Sequence, residues 1–383
     1  MTLESSFPPD KRVENEIDSL LEEGHAVDIL CSGEKGSSQV DLYKSATIFR
    51  ITPGPIILKS SVAALKIPLY FFYWKFHLSK ILRNKSYDAV HVHDLPLIKP
   101  VLQLKRTFGF KVVLDLHENW PALLDMSLHT KTFAGKILCS ISQWEKYEMK
   151  YAPLADRIIV VVEEARERII AMNVPQEKIF IVSNTINLND YKFDYNAKDK
   201  SRQDKTIIYE GGITYHRGIQ YILHALSIMK QDLDVKLRII GSGSYLEKLK
   251  QKSIDTGIEH LVEFMGWQPQ EKVYELINNA DIAIIPHIKS PHTDTTVPHK
   301  LFHYMYAGMP ILASNCRPLE RIINETSSGL IYNYDNAADL IEKIKLLIGS
   351  KTGIDKEGSR EWVINKYNWS HDEKELLNLY TSL

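Results

Sequence analysis

The chain reads as an α/β protein built of two doubly wound domains, and three observations predict it. Its 383 residues exceed one ordinary core and suit two domains, each able to bury an apolar interior. Short β-branched runs alternate with amphipathic stretches along both halves, the pattern of a mostly parallel sheet with crossover helices. Between the halves, residues 191–205 (YKFDYNAKDKSRQDK) hold no apolar run and read as a linker.

The opening MTLESSFPPDKRVENE has no basic segment followed by an apolar core, so no signal peptide is expected. A Pro-Pro-Asp turn and a helix over residues 13–23 come almost at once. The first strand is therefore expected to be very short or missing. Strands are then expected at AVDILC ending at Cys31, ATIFRI from Ala46, DAVHV from Asp88, KVVLDL from Lys111, RIIVVV from Arg157 and IFIVS from Ile179. Amphipathic stretches over 101–107, 133–151 and 163–172 supply the crossovers. The second half restarts with TIIYE at Thr206, KLRII at Lys236, LVEF at Leu261, DIAIIP at Asp281, PILAS at Pro310 and GLIYN at Gly329. A helix over 372–379 follows the turn-like NWS at 368–370. The domains are thus expected at 1–190 and 206–369, with a cleft between them bordered by strand C-termini, where such sheets bind ligands.

A formal charge of -1 with 25% charged residues excludes a polyanion wrapped over the whole surface, so no nucleic-acid partner is expected. Cys31, Cys139 and Cys316 are few, odd in number and far apart. They fit neither a disulfide framework nor a zinc site, and read as reduced packing residues of a cytoplasmic protein. Residues 42–87 carry eight Lys or Arg and no acidic residue around AALKIPLYFFYWKFHLSKILR. Lys66 and Lys75 interrupt the apolar run and Pro68 breaks it, which argues against a transmembrane span. Two readings remain for this stretch: a basic aromatic element resting on an anionic membrane surface, peripheral to the inner face of the membrane, or a core-packing helix with a solvated basic edge.

Candidate binding groups cluster at the predicted strand ends. Gly211 and Gly212 close a strand ahead of ITYHRG, so bare backbone amides, a helix N-terminus and the cation of Arg217 can meet one anion there. Gly241-Ser242-Gly243-Ser244 closes the next strand on the same logic, although tight turns alone also call for glycine. In HTDTTVPHKLFHYMYAGMP, residues 292–310, Pro298 is expected at the first helical position. The amides of Thr296, Val297 and His299, with Lys300, are then placed to hold a phosphate. His299 and His303 share a helix face but lack the HExxH arrangement, so no metal is assigned. In the first half, His91 and His93 lie on one strand face with Asp94 opening the loop, and His117 ends the next strand. These groups suit sugar hydroxyls or a developing positive charge; satisfied strand-end polar groups are the plainer alternative.

The phrases FPPDKRVENE, EEGHAVDILC, VHVHD, VVLDLHENWP, ADRIIVVVEEARERI, IVSN, GGITYHRG, LRIIGSG, VEFMGW, VPHKLFHYMYAGMPILAS and KYNW, in this order, resemble the family 4 glycosyltransferases. These are retaining enzymes of the GT-B architecture, two Rossmann-like domains facing a cleft. The resemblance spans nearly the whole chain, the strand that should precede Phe7 excepted. It implies that the first domain, completed by the terminal helix over 370–383, receives the acceptor and the second binds the nucleotide sugar. It places His117 beside the donor sugar and Arg217 on the diphosphate, both counted as catalytic. His93, Asp94, Gly211, Gly212, Gly243, Thr295, Thr296, Val297, Lys300 and His303 are counted as substrate-binding. Gly212 stands where the family frequently has a second basic residue. Thr295 and His303 stand where it has a pair of glutamates with seven residues between them, toward the donor sugar and the ribose. A neutral His303 nitrogen can still accept from a ribose hydroxyl.

The implied activity is metal-independent transfer of a sugar from a nucleotide-diphosphate donor to a glycan or lipid-linked acceptor in surface polysaccharide synthesis, with no cofactor. The β-phosphate of the leaving group would help to deprotonate the acceptor. Two alternatives belong to other classes: a noncatalytic sugar-nucleotide-binding or scaffold subunit, and a sugar-nucleotide epimerase.

Overall fold

A computed structural model describes residues 1–191, 204–230, 235–349 and 353–383. Most of the linker expected at 191–205 therefore lies outside the described residues. The chain divides into two compact units, one of Met1–Asn184 with Asp372–Leu383 and one of Thr185–His371.

The first unit is built on an eight-stranded sheet of β1 (Thr2–Ser6), β2 (Asp28–Ser32), β3 (Val40–Tyr43), β4 (Ala46–Ile51), β5 (Ala89–His93), β6 (Lys111–Leu116), β7 (Arg157–Val160) and β8 (Ile179–Ile181). Their order is β3-β4-β2-β1-β5-β6-β7-β8, and every pair is parallel except β3 with β4. The chain runs outward from β1 to one side and from β5 to the other, so the order turns round between these two strands. Ligands of such sheets bind at the strand C-termini at that turning point.

Two strands depart from the sequence expectation. β1, expected very short or missing, is present at five residues in the middle of the sheet, parallel to both β2 and β5. Its TLESS offers one large apolar side chain, the buried Leu3, so no apolar run announces it; backbone pairing on both sides makes it a strand. β3 was not expected at all, because Val40 and Leu42 are exposed on an edge strand and no buried face imposes a pattern.

The second unit has six strands: β9 (Lys205–Glu210), β10 (Val235–Ile240), β11 (Val262–Gly266), β12 (Ile282–Ile285), β13 (Ile311–Ser314) and β14 (Gly329–Tyr332). They are all parallel in the order β11-β10-β9-β12-β13-β14, with the turning point between β9 and β12. Ile207, Ile239 and Ile284 are wholly buried, as expected of a sheet covered on both faces.

Helix α1 (Lys11–Glu22) starts where Asp10 accepts a hydrogen bond from the Val13 amide at 3.2 Å. Val13, Ile17 and Leu20 repeat at helical spacing and are buried, and Glu16 goes in with them. Helices α2 (Pro55–Ser60) and α3 (Leu69–Asn84) carry the basic aromatic stretch. Its rings divide: Tyr70, Phe71 and Trp74 are buried, whereas Phe72 and Phe76 are 60% and 64% exposed. The helical stretch expected over 133–151 breaks into Phe133–Leu138 and Ile141–Tyr151. None of the described helices is long and apolar enough to cross a membrane. All three cysteines are buried and free.

Candidate active site

The second unit gathers its functional groups at the turning point of its sheet. β9 leaves through Glu210, Gly211 and Gly212, and Gly211 has a φ of +115°. The chain then makes a short turn over Tyr215–Arg217 and reaches Gly218 with a φ of +75°. A Cβ on Gly218 would stand 1.7 Å from the carbonyl oxygen of Pro286, so only glycine lets this turn pass the exit of β12. That approach places Arg217 Nη1 3.1 Å from His287 Nε2. Arginine only donates, so Nε2 accepts and the proton of this neutral imidazole sits on Nδ1.

Lys300 lies beside them. Its Nζ is buried, makes no hydrogen bond among the described residues and stands 3.7 Å from the centre of the Tyr209 ring. Gly211 makes room for it, since a Cβ there would approach Nζ to 2.9 Å. Burial and the charge of Arg217 push the Lys300 pKa well below its ordinary value, and Glu210 offsets this only in part. Burial, then the surrounding cations and histidines, lowers His216 to about 4, His292 to about 3 and His287 well below the ordinary histidine range. This group of a half-buried Arg217, the buried Lys300 amine and three neutral histidines is short of negative charge.

The other sequence-predicted residues of this unit fall differently. A Cβ on Gly243 would meet the Ile213 carbonyl at 2.2 Å, so its lack of a side chain serves the packing of one loop on the other. The helix expected to begin at Pro298 runs instead over Lys300–Tyr306, because the chain from Thr293 to Thr295 forms a separate short turn held by its own side chains. The Thr295 hydroxyl donates to the Pro291 carbonyl at 2.8 Å, and Thr296 bonds to that of His292 at 3.3 Å. Val297 is buried. His303 has both ring nitrogens engaged, Nδ1 with Glu210 Oε1 at 2.7 Å and Nε2 with the Tyr191 hydroxyl. Neither is left over for the ribose hydroxyl the sequence reading gave it. The carboxylate at this place arrives from β9 as Glu210.

In the first unit, strand alternation puts His91 and His93 on one face of β5, and the parallel register sets His93 opposite Asp115 of β6. The two histidine rings stack at 4.4 Å. Above them α1 lowers Arg12 and Glu16. Arg12 donates from Nη2 to Asp115 at 3.0 and 3.1 Å, and from Nη1 to the carbonyls of Val182 and Ser183 and to Asn184 Oδ1. Its Nε stands 3.1 Å from Glu16. His117 closes the group, with Nε2 2.6 Å from Asp115 Oδ2 and 3.3 Å from His93 Nδ1. His91 Nδ1 meets the Tyr380 hydroxyl at 3.0 Å, from the terminal helix Trp369–Thr381.

Charge is shared unequally inside this group. Burial opposes ionisation of Asp115, yet Arg12 and His117 hold its pKa well below the carboxylate range. Burial would likewise lower His117, but Asp115 overrides it and holds the imidazolium up to about 9. Glu16, fully buried and next to charged Asp115, keeps its proton up to about 8. Burial keeps His91 and His93 neutral. Glu16, His91, His93 and Asp115 bring ligand-type atoms within 4.8 Å of one another, but Arg12 already supplies the positive charge to both carboxylates. Asp94, just beyond, has a φ of +66°, a strained conformation for a residue with a side chain, and its amide donates to the Asp115 carbonyl at 2.8 Å.

Two parallel-sheet units with polar and cationic strand ends are the GT-B class of fold, and solved structures of that class superpose on the whole chain. Sucrose-phosphate synthase from Thermosynechococcus elongatus matches with a TM-score of 0.78 at 17% identity, over 99% of this chain and 94% of its own. Anabaena HepE in complex with UDP-glucose matches at 0.74 and 13%, over 100% and 98%. Residues 11–190 match the family described as Glycosyltransferase Family 4, and residues 190–369 that described as Glycosyl transferases group 1. The chain belongs to this family of glycosyltransferases. An uncharacterized glycosyltransferase of Methanocaldococcus jannaschii is 23% identical over 95% of this chain and 91% of its own. The GDP-mannose:cellobiosyl-diphosphopolyprenol alpha-mannosyltransferase of Xanthomonas oryzae is 22% identical over 75% and 72%.

Sequence reasoning passed over Arg12, Glu16, Glu210 and His287, and met Asp115 only as part of the strand end Asp115-Leu116-His117-Glu118. Some signals were there. Asp115 and His117 are two apart and so begin on one strand face, and Arg12 and Glu16 are four apart on α1. Nothing local ties Glu210 to His303, 93 residues away.

Proposed function

We propose that this glycosyltransferase moves a sugar, with retention of anomeric configuration, from a nucleotide-diphosphate donor to a glycan or lipid-linked acceptor of a cell-surface polysaccharide. The second unit takes the donor and the first the acceptor. The observation that carries this is the Lys300 amine, buried and without a hydrogen bond among the described residues, within the electrostatic reach of Arg217 at the turning point of the sheet. An anion that joins this pair supplies the missing counter-charge, and a diphosphate is an anion that a glycine turn with two basic side chains suits. Arg217 and Lys300, with the Gly211-Gly212 turn, then stabilise the charge that develops on the leaving diphosphate, work that needs no metal. The leaving phosphate, on the same face of the sugar as the incoming hydroxyl, takes up the acceptor proton. The UDP-glucose bound by the Anabaena protein and the lipid-linked acceptor named for the Xanthomonas enzyme support this choice of substrate classes.

Ligand-induced stabilisation across UDP-, GDP- and ADP-sugars identifies the donor. Product NMR in excess chelator then decides the mechanism: retention with full activity is expected, and an inverted linkage or a strict metal requirement rejects it.

The basic stretch over 42–87 supports an anionic membrane surface as the place where the acceptor is met, on the cytoplasmic side. Ile56 and Leu58 of α2 and Phe72 and Phe76 of α3 are exposed among its lysines. Vesicles containing phosphatidylglycerol should sediment the protein, and replacing Phe72 and Phe76 by Ser should leave it in the supernatant. Equal, negligible sedimentation of both proteins assigns these rings to another role.

A further inference from the structure

We propose that Asp115 is a positioning residue for His117: gripped by Arg12, it fixes the imidazole ring and keeps both ring nitrogens protonated, so that Nδ1–H donates to a substrate sugar oxygen and His117 does not act as a base. This rests on the reading above that His117 touches substrate. The geometry carries it in three steps. Asp115 is wholly buried and cannot turn away, because both of its oxygens already accept from Arg12. Arg12 in turn is held by the carbonyls of Val182 and Ser183 and by Asn184, so the carboxylate stands on a rigid mount. The 2.6 Å approach of His117 Nε2 to Asp115 Oδ2 therefore demands a proton on Nε2. Nδ1 has no hydrogen-bond partner among the described residues and is the atom left for a ligand.

The groups facing His117 agree with an imidazolium. Arg12 and Glu16 look on from α1, His91 and His93 from β5, and Asp94 from the loop beyond it. Arg12 opposes the positive charge, Asp94 favours it, and Asp115 at contact distance outweighs Arg12. His93, neutral and 3.3 Å away, leaves the proton with His117. A doubly protonated ring has no lone pair to remove the acceptor proton. That task stays with the leaving phosphate, while His117 presents a fixed donor and a positive charge.

Asp115→Asn tests the mount. Arg12 will bind the amide oxygen of the new side chain, which turns its NH2 group toward His117 Nε2. That nitrogen must then accept, and the ring becomes neutral. In the wild type, NMR titration of the His117 ring should show a midpoint near 9, and kcat/KM should fall as pH rises through it. In Asp115→Asn both should move down by about two units or more, toward the ordinary histidine value of about 6.5. His117→Gln assigns the resonance and tests the underlying reading. If His117→Gln turns over normally, the reading that His117 touches substrate is lost. If it is inactive while Asp115→Asn leaves both midpoints in place, the positioning role alone is overturned. Should Asp115→Asn not fold, the wild-type titration still decides: a midpoint at or below about 6.5, or activity rising through pH 9, overturns the proposal.

Discussion

Both units of this enzyme gather cations and histidines at the turning point of a parallel sheet, yet they balance charge in opposite ways. In the first unit Arg12 and His117 share charged Asp115, and Glu16 stays protonated; the buried charges answer one another within the protein. Among the described residues of the second unit, Arg217 meets a neutral histidine and Lys300 finds no hydrogen-bond partner. A buried group that is internally paired is built to hold a geometry. One that is unpaired lacks a counter-charge, which in the function proposed above an anion supplies. The same residue types therefore mean different things, and the partner of each charge decides which.

This contrast can be broken at its unpaired end first. Arg217→Ala is expected to lower kcat/KM by about 100-fold, the scale of losing one donor to developing negative charge. Calorimetry with the donor nucleotide should show weaker binding, and an unchanged affinity and turnover would remove Arg217 from the diphosphate. A smaller effect is expected at its neighbour. Lys300→Met should weaken nucleotide binding about tenfold or more, since a hydrogen bond to a charged group contributes roughly 1.5–3 kcal/mol. Because burial and Arg217 depress the Lys300 pKa and an arriving anion raises it, wild-type binding near pH 8 should take up protons. Calorimetry in Hepes and in Tris measures that uptake, and Lys300→Met should abolish it. Equal uptake in both proteins would place the proton on another group.

The smallest effect belongs to the paired end. Folded protein holds a proton on Glu16 up to about 8, while the unfolded chain releases it near the ordinary 4.5, so stability falls as pH rises across that window. Glu16→Gln removes this loss. Its melting temperature relative to wild type should improve by a few degrees between pH 5 and 8. A gap that stays flat across this window would mean that Glu16 is ionised beside Arg12.

Much of this was legible in the sequence, for reasons that differ by residue. The buried parallel strands announce themselves by β-branched runs: ATIFRI and KVVLDL are β4 and β6 to the residue. Arg217 and Lys300 were legible because glycine turns and cations lie close in the chain. β1 was not, since a strand paired on both sides needs little apolar sequence of its own. The mount of His117 was out of reach as well, because it joins α1, two strands and the segment at 182–184. His303 shows the opposite failure. Its type suited a ribose, but Glu210 and Tyr191 had already claimed it.

The first unit is interrupted: it stops at Asn184 and resumes at Asp372. During synthesis the ribosome therefore delivers all of the second unit before Tyr380 reaches His91. Until then the sheet face that carries the histidines lies open on the side the terminal helix will cover, where Leu376 and Leu379 become buried. A stall within the second unit would leave an emerging chain that exposes this face, the kind of surface a chaperone engages, and the order of manufacture completes the histidine cluster of the first unit only after the second unit has been made.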